Sequence, residues 1–230
     1  MRVLAIGDIH GCLTALKALE AAVRFQADDL VVTLGDYIDR GPDTRGVINW
    51  LIDYRRRNPE RMLNLQGNHE LMMKEARRGG ISFHTWFGKG GAATLRSYTA
   101  DDQPTQAMEI VTAEHRRFLE EELLPYFETE THLFVHAGAS PHLPLSRQSA
   151  YMLYWEKFES AERHDSGKIM ICGHTSQFSG VPKDRGFAVC IDTRAYDGEW
   201  LTCLDVISRR YWQANQRGEV REGNLDALPS

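Results

Sequence analysis

An α/β fold with a mixed sheet is what this 230-residue sequence predicts. Three observations carry the prediction. Five short apolar runs recur along the chain, each ending in glycine and polar residues. Helical periodicity fills the intervals after the first two. Two more strand-like runs stand close together near the end. Strands alternating with helices point to an α/β protein, and the closing pair makes the sheet mixed.

The first run, "VLAIGDIHG" (3–11), is rich in Leu and β-branched residues. Runs of this kind are those of strands covered on both faces, and the closing glycine lets the chain turn sharply. "CLTALKALEAAV" follows as a helix with Leu13, Leu16, Leu19 and Val23 near one face. "LVVTLGDYIDRG" (30–41) is the second strand. After Pro42, "DTRGVINWLIDYRRR" spaces Val47, Trp50, Leu51 and Tyr54 at three to four residues, with Asp43 in the first turn. "MLNLQGNHE" (62–70), "HLFVHAG" (132–138) and "IMICGHT" (169–175) complete the set of five. Between them, "TWFGKGGAATLRSY" (85–98) has two readings. Trp86, Phe87 and Tyr98 pack a helical lid, or the segment caps the site, with Lys89 or Arg96 meeting a substrate. Finally, "GFAVCIDT" and "WLTCLDVI" are expected as strands joined in a hairpin through "AYDGE".

The chain is 42% hydrophobic and long enough for one sizeable core, so a single domain over residues 1–230 is expected. The net charge of −5 argues against a duplex nucleic-acid partner. Cys12, Cys172, Cys190 and Cys203 form no CxxC pair, and the three that lie in or beside apolar runs are expected as small buried hydrophobes. No apolar run approaches the roughly 20 residues of a membrane span, and the opening "RVLAIGD" shows no signal-peptide pattern, so the expected location is cytoplasmic, with no membrane partner. His84, His115, His132, His142 and His164 lie outside the polar motifs that close the runs and are expected in surface or capping roles.

In layered α/β folds ligands gather outside the carboxyl ends of strands. Here those ends carry Asp, His and Asn. Asp8 and His10, two apart in a tight turn, can face one ion. Asp36 supplies a second carboxylate that could bridge two ions, and Asn68, His136 and His174 can complete a second position. A set of carboxylate, amide oxygen and imidazole without thiolate suits Mn²⁺, Fe or Zn²⁺. Two ions about 3.5–4 Å apart can clamp a phosphate and sharpen a bound water into a nucleophile. Arg40 can clamp phosphate, His69 is placed to be a general acid, and Asp39 could orient it.

"GDIHG", "GDYIDRG", "GNHE", "VHAG" and "GHT", in that order, resemble the motifs of the calcineurin-type metallophosphoesterases. Within that superfamily they are similar to the PPP phosphatases, which include serine/threonine protein phosphatases and symmetrical diadenosine-tetraphosphate hydrolases. The motifs span residues 7–175, and "IDTRAYDGEWLTCLDV" (191–206) resembles the family's closing segment. The resemblance implies a four-layer α/β/β/α sandwich, two mixed sheets flanked by helices, with residues about 71–130 as a helical cap or insertion. It implies a first metal on Asp8 and His10, Asp36 bridging, and a second metal on Asn68, His136 and His174. Mn²⁺ is the expected ion in vitro, with Fe or Zn²⁺ as alternatives. Arg40 and Asn68 would contact phosphate, and His69 with Asp39 would protonate the leaving oxygen. Bacterial and phage relatives commonly carry W-x-R after VHAG, whereas "YWEKF" puts Lys157 at that place. Lys keeps the charge and loses the planar fork, so Lys157, or else Arg147 or Arg163, completes the clamp. Arg194 stands where many relatives have glycine and is expected to reach toward the site mouth.

The implied activity is hydrolysis of phosphoserine or phosphothreonine monoesters, on a phosphoprotein or a small phosphoester. The alternative is symmetrical hydrolysis of dinucleoside polyphosphates such as diadenosine tetraphosphate. That substrate calls for extra Lys or Arg and stacking aromatics around the metals. A non-catalytic metal-binding scaffold is the remote third reading; it has no need of His69 and Asp39.

Overall fold

The computed structural model describes residues 1–99 and 108–226. In chain order the strands and α-helices are β1 (Val3–Ile6), α1 (Leu13–Val23), β2 (Leu30–Thr33), α2 (Thr44–Arg57), β3 (Met62–Asn64), α3 (Asn68–Ala76), α4 (Gly80–Trp86), α5 (Ala92–Arg96), α6 (Ala113–Glu121), β4 (Phe127–Glu128), β5 (His132–Phe134), α7 (Ala150–Trp155), β6 (Ile169–Cys172), β7 (Lys183–Asp184), β8 (Ala188–Cys190), β9 (Leu201–Asp205), β10 (Arg210–Ala214) and β11 (Val220–Asn224). Part of the expected cap, residues 100–107, lies outside the described residues.

Two mixed sheets form. One runs β11-β10-β9-β1-β2-β3, the other β4-β5-β6-β8-β7. Within the first, β1, β2 and β3 are parallel, and β9, β10 and β11 add on antiparallel. Within the second, β5, β6 and β8 are parallel, with β4 and β7 antiparallel at the edges.

Alternation along each strand builds the layers. Val3 and Ala5 of β1 join Val32, Phe134, Ile171, Val189 and Leu204 in an apolar cluster shared by the two sheets. Leu4 and Ile6, on the opposite face, join Leu16 and Leu19 of α1 and Val47 and Leu51 of α2. Leu133, Met170, Cys172 and Cys190 pack with Leu153 and Tyr154 of α7. A strand buried on both faces must be apolar at successive positions, which is why "VLAI" shows no polar alternation. Asp43 caps α2, its carboxylate accepting from Gly46 N at 2.7 Å. All four cysteines are free and buried. No α-helix among the described residues is long and apolar enough to cross a membrane.

The expected closing hairpin does not exist. β8 belongs to the second sheet and β9 to the first, and between them Arg194 and Trp200 form an isolated bridge beside the Thr193–Trp200 hydrogen bonds. Both runs are fully buried, so each completes a different sheet, and the intervening segment crosses between sheets. β8 instead pairs antiparallel with β7, and β9 with β10, which pairs in turn with β11; the last two strands were absent from the sequence reading. His115 and His132 also depart from expectation. They are buried, His115 Nδ1 paired with the Tyr98 hydroxyl at 2.7 Å and His132 Nδ1 with the Thr131 hydroxyl at 2.9 Å.

Candidate metal centre and active site

Because β1, β2 and β3 are parallel in one sheet, and β5, β6 and β8 in the other, the loops after their carboxyl ends form two rows. The rows meet. His136 Nδ1 lies 2.8 Å from Leu34 O, and His174 N donates to the Asp8 carboxylate at 3.1 Å. Within the first row, Ile9 N and His10 N both donate to Asp36 O, at 3.0 and 2.8 Å. The turns are tight enough to force left-handed backbone on non-glycine residues: His10, Asp36, Asp39, Arg40, His174 and Arg194 all have φ between 45° and 72°. Such strain persists only where surrounding contacts over-determine it, and it clusters at functional sites.

Asp36 is the hub. His10 Nδ1 lies 2.7 Å from Ile38 O, and His136 Nδ1 lies against Leu34 O, so each ring carries its proton on Nδ1 and turns an Nε2 lone pair inward. Those two nitrogens sit 3.5 Å from the two separate oxygens of Asp36. Acceptors facing acceptors in a buried site call for cations between them, so the donor set fits divalent metal. His10, Asp36 and His69 gather in one group of donors, and Asp36, His136 and His174 in another. Asn68 Oδ1 stands 3.0 Å from His136 Nε2 and 3.1 Å from His174 Nδ1. Asp8 belongs to neither three-donor group. Its carboxylate accepts from His174 N, at 3.1 and 3.2 Å, while lying at the same edge.

Two glycines make room for these carboxylates. A Cβ on Gly67 would run into Asp36 Oδ1, and one on Gly173 into Asp8 Oδ1. Burial opposes ionisation of Asp36, but the rings of His136, His69 and His10 outweigh it and hold the carboxyl well below the usual carboxylate range. Burial, with Asp192 and Asp36 nearby, pushes Asp8 up. Burial and the adjacent His136 ring bring His174 down to about 3, which leaves it an unprotonated donor at neutral pH. Burial and His69 push His10 down as well.

His69 is built differently from the other rings. Its Nδ1 lies 2.6 Å from Asp39 Oδ2 in a buried pair, with Nε2 turned toward Asp36 at 4.0 Å. Burial disfavours the charged ring, but Asp36 and Asp39 outweigh it and raise the pKa. Asp39 is held in turn by Trp86 Nε1 at 2.9 Å and by the Thr94 hydroxyl at 2.7 Å. Trp86 is wholly buried. The 85–98 segment therefore supports Asp39 from beneath, rather than offering Trp86 to a substrate.

Arg40 extends over Tyr196, its guanidinium carbon 4.5 Å from the ring centroid, with Nη1 3.2 Å from His10 Nε2. Lys157 Nζ lies 3.4 Å from His174 Nε2. Asp36, Arg40, Asn68, Lys157 and His174 line one cavity of about 390 Å³, with Glu159, Ser176, Phe178 and Tyr196 at its sides. Arg147 and Arg163 do not line it; Arg163 lies over Phe187. Arg194 lies over Phe178, 4.2 Å from the ring centroid, and pairs with Asp197.

The sequence reading assigned no role to Glu70, Thr94, Tyr196 or Phe178. Glu70 is buried and its carboxylate collects the amides of Asp36, Tyr37, Ile38 and Gly67, at 3.0, 2.9, 3.4 and 2.9 Å. Burial and Asp36 raise its pKa to about 7. Glu70 sat in plain view within "GNHE", but its partners are up to 34 positions away, and Thr94 is 55 from Asp39. No local spacing encodes such contacts.

The sequence profile described as calcineurin-like phosphoesterase matches residues 1–178. Serine/threonine-protein phosphatase 1 of Salmonella typhimurium is 39% identical over 90 residues, covering 39% of this chain and 38% of that protein. The symmetrical bis(5'-nucleosyl)-tetraphosphatase of Pseudomonas fluorescens is 28% identical over 167 residues, covering 72% of this chain and 50% of that protein. The chain thus spans half or less of the length of these curated relatives. Among solved structures, a protein serine/threonine phosphatase from Saccharomyces cerevisiae superposes with a TM-score of 0.62 at 15% identity, covering 100% of this chain and 81% of that one; at that identity the likeness concerns the fold. With the two-sheet architecture and the ordered strand-end motifs, the match over residues 1–178 establishes that the chain belongs to the calcineurin-like phosphoesterase family.

Proposed function

We propose that this chain is a metal-dependent phosphoesterase, a hydrolase of the PPP phosphatase type. The observation that carries the reading is Asp36, with an imidazole nitrogen 3.5 Å from each oxygen and the His69–Asp39 pair beside it. Asp8, His10 and Asp36 would hold one divalent ion, and Asp36, Asn68, His136 and His174 a second, with Mn²⁺ the first choice in vitro and Fe or Zn²⁺ the alternatives. When bound, two such ions supply Lewis-acid charge and lower the pKa of water.

The chain's own residues do the rest. Arg40 and Lys157 bind the phosphate oxygens, Arg40 through a planar fork and Lys157 as a point charge. Asn68 reaches the same anion. His69 holds a proton at Nε2, with Asp39 fixing its ring through Nδ1, and gives that proton to the leaving oxygen. Trp86 and Thr94 keep Asp39 in place. On this reading residues 1–230 form one domain, and the helical segment at about 71–130 serves the site by supporting its acid.

The first substrate class is phosphoserine and phosphothreonine monoesters, in line with the name of the Salmonella relative. Dinucleoside polyphosphates are the second, in line with the Pseudomonas relative and with an exposed aromatic, Phe178, at the cavity rim. Hydrolysis of a phosphothreonine peptide and of diadenosine tetraphosphate is measured side by side with Mn²⁺ supplied. Chelation abolishes both activities and Mn²⁺ restores them. Full turnover by protein shown metal-free by elemental analysis would sink the reading.

A further inference from the structure

Phe178 is 80% exposed, yet it lines the same cavity as Asp36, Arg40, Asn68 and His174. The other apolar side chains that are 60% exposed or more, Met1, Ile81, Tyr151 and Ile207, do not line it. An isolated exposed aromatic on a loose loop would need no explanation. This one is held rigidly. Gly180 N donates to Gln177 O at 3.1 Å, closing a four-residue turn with Phe178 just past its first position. Gln177 N is tied to Asp192 O at 2.8 Å. Gly180 O accepts from Gln213 Nε2 at 2.9 Å and from Arg221 Nη2 at 2.6 Å. The Gly180 end of the turn is therefore pinned to β10 and β11 and the Gln177 end to the loop just after β8, and the ring is presented from a fixed base.

One face of the ring is already taken. The Arg194 guanidinium stacks on it at 4.2 Å and is itself anchored by Asp197. A cation on one face polarises the ring and leaves the other for a flat partner. A second feature of the cavity selects among flat partners. Glu159 lines it beside Lys157 and Arg40. Its Oε1 is paired with Lys183 Nζ at 3.5 Å, which offsets part of its repulsion of phosphate, and its other oxygen can accept from hydroxyl donors. A nucleoside 5′-phosphate carries all three features: an anion for Arg40 and Lys157, ribose hydroxyls for Glu159, and a base for the ring.

We propose that Phe178, backed by Arg194, is a stacking platform for the base of a nucleotide substrate, with Glu159 accepting from its ribose. This rests on the phosphoesterase reading above and assigns the substrate's organic part to the cavity rim.

The test compares adenosine 5′-monophosphate with ribose 5-phosphate, which differ only in the base. Kd for each is measured by calorimetry on the Mn²⁺-loaded protein, in a His69→Asn background that holds back turnover. The nucleotide binds about tenfold more tightly, the size expected for one stacked base. Phe178→Ala brings the two Kd values together by weakening nucleotide binding alone, and Phe178→Trp keeps the preference. Equal Kd values in the Phe178 parent overturn the proposal, as does a preference that survives Phe178→Ala or an equal loss for both ligands. Mn²⁺-dependent hydrolysis of p-nitrophenyl phosphate by the wild-type chain is read separately. If it is present while the Kd values are equal, the platform fails and the phosphoesterase reading stands. If it is absent, the phosphoesterase reading fails by itself.

Discussion

His69 and Asp39 stand 30 positions apart in sequence and 2.6 Å apart in space, and their pairing carries a sharp kinetic signature. His69→Asn is expected to slow turnover by about 10²–10⁴-fold, the usual loss for a positioned proton donor. The loss is smaller for p-nitrophenyl phosphate, whose leaving group needs little protonation, and larger for a serine ester. Asp39→Asn follows the same pattern more weakly, and the double variant loses little beyond His69→Asn, because residues acting as a unit are not additive. The slope of log kcat against leaving-group pKa decides the matter: a slope shared by wild type and the His69 variant removes His69 from the acid role. Lys157 is a lesser partner. Its ammonium is exposed at the cavity beside His174. Lys157→Ala is expected to lower kcat/KM about tenfold, the size of one charge-assisted hydrogen bond. Lys157→Arg restores most of it; an unchanged kcat/KM in the alanine variant assigns Lys157 to the surface.

At the scale of elements, the strand-to-helix turns are the working parts, and Glu70 ties two of them together. It sits in the first turn of α3, where a negative charge is favoured, and gathers amides from the loop after β2 and from Gly67. Asp36 and Asn68 depend on that knot for their relative placement. Glu70→Gln keeps the volume but turns an NH₂ group toward amide donors. Buried donors left without acceptors cost about 1–3 kcal/mol each, so the denaturation midpoint is expected to fall. Mn²⁺ affinity is expected to fall with it. Calorimetric titration with Mn²⁺ distinguishes the roles: a loss of stability at constant Mn²⁺ affinity leaves Glu70 a fold residue only. The segment at 85–98 works in the same indirect way, by holding Asp39 through Trp86 and Thr94.

At the scale of the whole molecule, the site exists because two sheets bring their parallel carboxyl edges together. Asp8 follows β1 of one sheet, yet its carboxylate is gripped by the backbone of His174, which follows β6 of the other. Gly173 leaves the space for that crossing. Gly173→Ala puts a methyl group where Asp8 Oδ1 lies, with backbone fixed on both sides. The expected result is a folded protein with a displaced Asp8 and fewer bound metal ions. Mn²⁺ stoichiometry, falling from two toward one while circular dichroism stays unchanged, is the check. Two ions bound with unaltered affinity would mean that the carboxylate has room the packing does not show.

The sequence by itself determined the strands that carry the site, the two flanking helices α1 and α2, and the identity of the residues gathered around Asp36. These were readable because strand burial, helix periodicity and turn glycines act over a few residues, and because the donor residues sit directly at strand ends. What only the tertiary structure decided was partnership. β8 and β9 look like a hairpin in sequence but lie in different sheets, since strand pairing depends on which buried face each run must complete. The strands β10 and β11, the amide-collecting role of Glu70 and the Trp86 and Thr94 supports of Asp39 stayed hidden for a related reason. Each is a contact between residues many positions apart, created when the sheets pack, and no local pattern in a single sequence records it.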